Sequence, residues 1–265
     1  LCGIYVIYVL SQIQYLFAAF RNAIPGGVNA AEYARRGFFE LMAVAAINLG
    51  VISAALTFTK KKEGKTPKSV RLLVGCISLF TLLLISSAFS KMVLYVNTHG
   101  LTLLRVYTSW FMLLLAIIFV AVFFKLAKPQ FHITRFVSVV FLVLYIGLNY
   151  ANVDALIPAY NIDRYQAGSL SKLDVEAFDE LSDGMVPALI PLLQDTNPEV
   201  AQEAKILLQK QKAKLQDQRD EDGHFPWQKM SYAKWQALDL IEENKETIGE
   251  YDYSQDYYSR NYRTD

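Results

Sequence analysis

Residues 70–127 read VRLLVGCISLFTLLLISSAFSKMVLYVNTHGLTLLRVYTSWFMLLLAIIFVAVFFKLA. Two apolar runs, 70–97 and 101–127, meet at the polar turn Asn97-Thr98-His99-Gly100. A bilayer core about 30 Å thick takes about 20 apolar helical residues, and each run meets that length. The pair therefore reads as a transmembrane hairpin. Working outward, the stretches 1–20, 38–59 and 136–157 have the same character. Five such runs in succession would overfill any soluble core. The expected fold is all-α: a polytopic membrane protein with about five transmembrane helices, followed by a small soluble helical domain.

The charge distribution divides the chain. Residues 1–160 hold fourteen basic and four acidic residues, and 161–265 hold twelve basic and twenty-one acidic, so a +10 part precedes a −9 part. Asymmetry of that size marks two kinds of work. We expect a transmembrane domain over 1–160, an acidic helical domain over 161–246 and a Tyr-rich acidic tail over 247–265. The chain opens at Leu1 inside an apolar run, without Met or a basic leader. We therefore expect the transmembrane domain to be truncated at its N-terminal side.

The connections alternate. KKKEGKTPKSVR (60–71) and KLAKPQFHITR (125–135) carry nine basic residues, against Arg21, Arg35 and Arg36 in the 21–37 connection. The positive-inside rule places the first two in the cytoplasm. By alternation, the 97–100 turn and the acidic domain lie outside. The Lys60–Lys62, Lys65 and Lys68 cluster serves as a topology determinant, with contact to anionic lipid as a competing use. No aromatic or basic domain accompanies it, so no nucleic-acid partner is expected.

Polar residues gather at the expected outer helix ends. Glu32, Arg35, Arg36 and Glu40 precede or open the second run. Lys91, Tyr95 and His99 recur at four-residue spacing, on one face of a helix. Arg105 follows the turn, and Asn149 and Asp154 sit late in the last run. Ionisable groups at membrane depth are costly and face partners or water. These ten residues are the candidate site, a polar vestibule open to the outside. The competing reading is local ion pairing (Glu32 with Arg36, Arg36 with Glu40) and snorkelling of Lys91 and Arg105 to the headgroups. Asn48, mid-helix, reads as an interhelical hydrogen-bond donor. Three dispersed histidines and two cysteines in apolar runs offer no metal site, and no cofactor motif is visible.

In the acidic part, Asn197-Pro198 opens a helix to about Gln216. Ser231 opens another to about Lys245, and further helices are expected from Ser171 to Leu181 and over 186–194. The expected core is Leu173, Phe178, Leu181, Leu189, Leu192, Val200 and Leu207.

Three separated segments carry a resemblance: AEYARRGFFEL (31–41) followed by Asn48, SKMVLYVNTHGLTLLRVY (90–107) and NYANVDALIPAYNIDRY (149–165). Together with the spacing from Leu173 to Leu189, they resemble the bacterial membrane proteins grouped as domain of unknown function 4173, related to the group numbered 4153. The resemblance implies a polytopic protein of the bacterial cytoplasmic membrane with helices upstream, and no activity. Family positions that are often Arg-Met and Tyr-Gly read Lys91-Met92 and His99-Gly100 here. The positive charge is kept, but not a bidentate fork.

Three functional readings follow. The first is a non-enzymatic protein that binds, moves or senses a small polar or anionic ligand at the vestibule. The second is a membrane-embedded enzyme acting on lipid-linked envelope precursors through Asp154, His99 and Lys91. It requires His99 or Asp154 within hydrogen-bond reach of another titratable group. The third is a scaffold that docks a protein partner on the C-terminal domain. It requires an exposed aromatic patch near Phe225, Trp227 and Trp235.

Overall fold

The computed structural model describes residues 30–60, 66–218, 225–226 and 230–251, and of residues 30–40 and 42 the backbone only. The span expected over 1–20, most of the Lys60–Lys68 cluster, His224, Trp227 and the tail from 252 lie outside the described residues. The described residues are helical without a strand and divide into two compact units.

In the first unit, α1 (Ala30–Phe58), α2 (Lys68–His99), α3 (Leu103–Ala127) and α4 (Ile133–Tyr150) follow one another. Three of them, α2, α3 and α4, are long and apolar enough to cross a membrane. In α1, the described apolar stretch is the shorter Ala43–Phe58. At about 1.5 Å per residue, the 32 residues of α2 exceed the hydrocarbon thickness, so this helix tilts or projects from it.

Buried residues fall at helical spacing. Leu41, Ala45, Asn48 and Ile52 line one face of α1, and Val74, Ile77, Thr81 and Ile85 line one face of α2. Met112, Leu115, Phe119 and Val122 on α3 join the same cluster. These successions of three and four are those of packed helix seams. Asn48 and Thr81 are the polar members of the α1–α2 seam. Asn48 Nδ2 donates to Thr81 Oγ1 at 2.7 Å, and Thr81 Oγ1 donates to the Ile77 carbonyl at 2.8 Å. The interhelical bond expected of Asn48 is therefore present.

The remaining apolar side chains point outward. Ile47, Leu72, Leu79, Phe89, Leu113 and Phe124 are exposed. No residue of α4 is buried, although Val139, Phe141, Leu142, Val143 and Ile146 stand on it. Large apolar surface without a core beneath it suits a lipid solvent. Trp110 links α3 to α4: its Nε1 donates to the Leu144 carbonyl at 3.0 Å, and its ring meets Phe141 edge-on. Lys125 caps the connecting turn, donating to the carbonyls of Pro129 and Phe131 at 2.9 and 2.8 Å.

The second unit comprises Gly100–Leu103 and the chain from Ala151. The run expected as one helix over 136–157 is two helices. Helix α4 ends at Tyr150, and Asn152 adopts the left-handed conformation (φ 43°) before α5 (Val153–Gln166) begins. Asn is one of the few residues that take this conformation at low cost. The chain then forms short 3-10 turns at Glu176–Glu180 and Asp183–Met185, the single turn α6 (Val186–Leu189) and a 3-10 turn at Ile190–Gln194. The longer helices expected over 171–181 and 186–194 are absent. In the second case the reason is visible: Pro191 has no N–H to give to the Pro187 carbonyl.

The last helices follow the sequence closely. In α7 (Pro198–Asp217) the Asn197 side chain accepts from the Glu199 N–H, and in α8 (Tyr232–Glu243) Ser231 accepts from the Lys234 N–H. A final turn, α9 (Lys245–Ile248), ends at Gly249 with φ 75°. All seven expected core residues are buried. Met185, Val186, Ala204, Leu208, Leu215, Ala237, Ile241 and Ile248 extend that core. Gln211, itself buried, donates to Asp183 Oδ1 at 2.6 Å and so satisfies a polar group inside it.

Candidate functional site

The C-terminal turn of α2 and the first turn of α3 bring three candidates together. Tyr95 and His99, one turn apart on α2, have ring centroids 4.6 Å apart. The Arg105 guanidinium lies over the Tyr95 ring, 4.1 Å from its centroid, and its Nη1 donates to the His99 carbonyl at 3.0 Å. The guanidinium thus satisfies the last carbonyl of α2, a natural place for a cation at a helix C-terminus. Stacking on an aromatic face also holds the planar fork in one orientation.

His99 has a second anchor. Its Nδ1 lies 2.7 Å from Thr98 Oγ1, and that hydroxyl lies 3.1–3.2 Å from the carbonyls of Tyr95 and Leu94. A threonine hydroxyl has one proton. When it goes to the backbone carbonyls, Nδ1 is the donor to Oγ1 and Nε2 is the acceptor. Lys91 precedes Tyr95 by one turn on the same face and is half-buried.

The other candidates occupy other places. Asn149 turns back on its own helix, Nδ2 donating to the Tyr145 carbonyl at 2.7 Å. Asp154 belongs to the second unit, in the first turn of α5, where Ser182 Oγ donates to its carboxylate in a very short hydrogen bond. Glu32, Arg35, Arg36 and Glu40 lie on the N-terminal part of α1, where the backbone alone is described. Among the described contacts, then, Tyr95, His99 and Arg105 form the cluster. His99 and Asp154 each hydrogen-bond a hydroxyl, Thr98 and Ser182, rather than a second titratable group. Among the described residues no three His, Cys, Asp or Glu converge as a metal site would require.

A further residue escaped the sequence reading. Asn161 on α5 is buried, and its amide grips the backbone of Leu101 from both sides. The Leu101 N–H donates to Oδ1 at 2.6 Å, and Nδ2 donates to the Leu101 carbonyl at 2.8 Å. Both partners lie in the second unit. Sixty residues separate them, and an Asn within a helix carries no local mark of such a role.

The three residues of the cluster, and Asn161 as well, fall inside one family match. The model described as Domain of unknown function (DUF4153) covers residues 1–192. The chain belongs to the DUF4153 family. The DUF4153 match takes in α1 to α6 and ends at Leu192, so α7, α8 and α9 lie beyond it. It names the group related to the one that the sequence motifs resemble. No curated protein and no solved structure matches the chain. Family membership and the apolar helices fit a membrane protein of the DUF4153 family, a domain of unknown function.

Proposed function

We propose that this DUF4153 protein binds a small polar or anionic ligand at the Tyr95–His99–Arg105 cluster, on the outer face of a bacterial cytoplasmic membrane. The 90–107 and 149–165 motifs carry the finer kinship with the 4173 group and the bacterial setting. The observation that carries the binding reading is the stacked guanidinium. Its plane is held by Tyr95 and the His99 carbonyl, in the pre-organised state that suits an arginine for anion recognition. Lys91, on the same face one turn away, adds positive charge.

The connectivity supports the sidedness. If α2, α3 and α4 cross in succession, the 100–103 turn and the chain after Tyr150 emerge on one side. These are the two segments that make up the second unit. The basic 60–71 and 125–135 connections fall on the other side, which the positive-inside rule makes cytoplasmic.

The test uses the full chain in phosphatidylcholine nanodiscs. Its three histidines make the His99 imidazole signal assignable by single substitutions. Titration with inorganic phosphate, and separately with phosphatidylglycerol in the disc, is expected to shift the His99 signal saturably with at least one of them. Arg105→Gln abolishes the shift. Absence of any saturable shift, or an identical titration in Arg105→Gln, overturns the proposal.

The scaffold reading has one observation in its favour. Tyr232 and Trp235, three residues apart on α8, are 77% and 58% exposed. If Tyr232→Ser with Trp235→Ser abolishes function in cells while the anion titration is unchanged, the scaffold reading is preferred.

A further inference from the structure

We propose that Asn161 is a positioning residue for the Tyr95–His99–Arg105 cluster, acting through the turn at Gly100–Leu103. The functional consequence rests on the binding reading above; the positioning itself does not.

Asn161 holds the turn through both ends of its amide. Its side-chain amide presents one donor and one acceptor in the pattern of a peptide group, and both are used on Leu101. An aspartate would keep the acceptor and lose the donor, and a leucine would lose both. The turn is shaped for this grip. Gly100 has φ +76°, and a Cβ there would stand 2.8 Å from Asn161 Oδ1. A side chain at position 100 is thus excluded twice, by backbone conformation and by the clamp. Asn161 is itself fixed, because Ile157 and Ile162 beside it on α5 are buried in the second unit.

The turn leads directly to the cluster. The His99 carbonyl belongs to the same planar peptide as the Gly100 N–H. One pair of soft dihedrals, those of Gly100, separates that plane from the first of the two peptides that Asn161 grips, the one that carries the Leu101 N–H. The His99 carbonyl is the acceptor of Arg105 Nη1, and Arg105 lies over Tyr95. Holding Leu101 therefore limits where the carbonyl points, and hence where the guanidinium rests. Covalent connection and two hydrogen bonds suffice as the physical link.

The test compares wild type, Asn161→Leu and Asn161→Asp as full chains in nanodiscs, with two ligand-free readouts. The first is hydrogen exchange of residues 100–103. Loss of both bonds in Asn161→Leu is expected to speed Leu101 amide exchange by roughly tenfold or more, and Asn161→Asp, which keeps the acceptor, to speed it less. The second is the imidazole signal of His99, expected to move in Asn161→Leu and to move less in Asn161→Asp. His132 and His224 serve as fixed references. An unmoved His99 signal alongside faster Leu101 exchange overturns the proposal, because the clamp is then only local. Unchanged Leu101 exchange overturns it as well. If Asn161→Leu does not fold, Asn161→Asp decides by the same criteria. Should wild type show no anion titration while His99 responds to Asn161, the binding reading fails and the positioning role stands.

Discussion

The Asn48–Thr81 bond predicts an energetic coupling between α1 and α2. Asn48 is 1% exposed and Thr81 fully buried, and they meet at 2.7 Å inside the α1–α2 seam. Replacing Asn48 by Leu removes the bond but leaves Thr81 Oγ1 donating to the Ile77 carbonyl. Replacing Thr81 by Val removes the same bond from the other side, taking the Thr81 hydroxyl away from the Asn48 amide. A buried polar group deprived of its partner costs about 1–3 kcal/mol, whereas exchanging both partners for apolar groups is nearly neutral. The double variant should therefore cost less than the sum of the two single variants. The coupling energy should be about 0.6 kcal/mol and stay below about 1.7 kcal/mol, the span found for hydrogen bonds between membrane helices. Equilibrium unfolding in mixed detergent micelles, titrated with a denaturing detergent, measures all four corners of the cycle. A double variant that costs the sum of the singles would refute the reasoning.

Further expectations follow from the second unit. Leu208→Ala, at a fully buried position on α7, should cost about 2–5 kcal/mol in thermal or chemical unfolding. Gly184→Ala places a Cβ 2.8 Å from Asn152 Oδ1 and 3.4 Å from the Ala155 backbone nitrogen; overpacking of this kind should cost about 1–3 kcal/mol and show as a lowered Tm. Partial burial of the Glu203 carboxyl, then the charges of Glu176, Asp174 and Glu199, raise its pKa, with Lys172 acting the other way. A raised carboxyl binds more protons folded than unfolded. Stability should therefore fall as pH rises from the ordinary carboxylate value through the raised one. Glu203 is solvent-exposed, so the effect is small. Glu203→Gln should raise the Tm slightly at neutral pH, a gain that vanishes below the carboxylate range; an equal gain at every pH would count against the charge argument.

Much of the architecture was legible because its causes are local. Apolar length announced the hairpin around 97–100. Asn197-Pro198 and Ser231 announced α7 and α8, since a cap is a bond between near neighbours. The seven core positions of the second unit were legible as apolar positions of a small helical domain, and they are buried although short turns replace two of the expected helices. What was hidden depends on backbone choices and distant partners. Nothing in the apolar run 136–157 announces that Asn152 turns left-handed and splits it. The site was legible in part. The four-residue spacing of Tyr95 and His99 placed them on one face, and Arg105 was named with them, but its stacking on Tyr95 depends on how the turn folds back. Asn161 reaches Leu101 across sixty residues, and only contact in three dimensions reveals it.

Sidedness is the most direct test of the account. In a chain carrying Cys2→Ser and Cys76→Ser, single cysteines are placed at Ser69, Asn97 and Ser171, and intact cells are treated with a membrane-impermeant thiol reagent. Positions 97 and 171 are expected to label in intact cells, and position 69 only after permeabilisation. Labelling of 69 alone would reverse the proposed orientation. Labelling that puts 97 and 171 on opposite faces would contradict the three-crossing arrangement of α2, α3 and α4 itself.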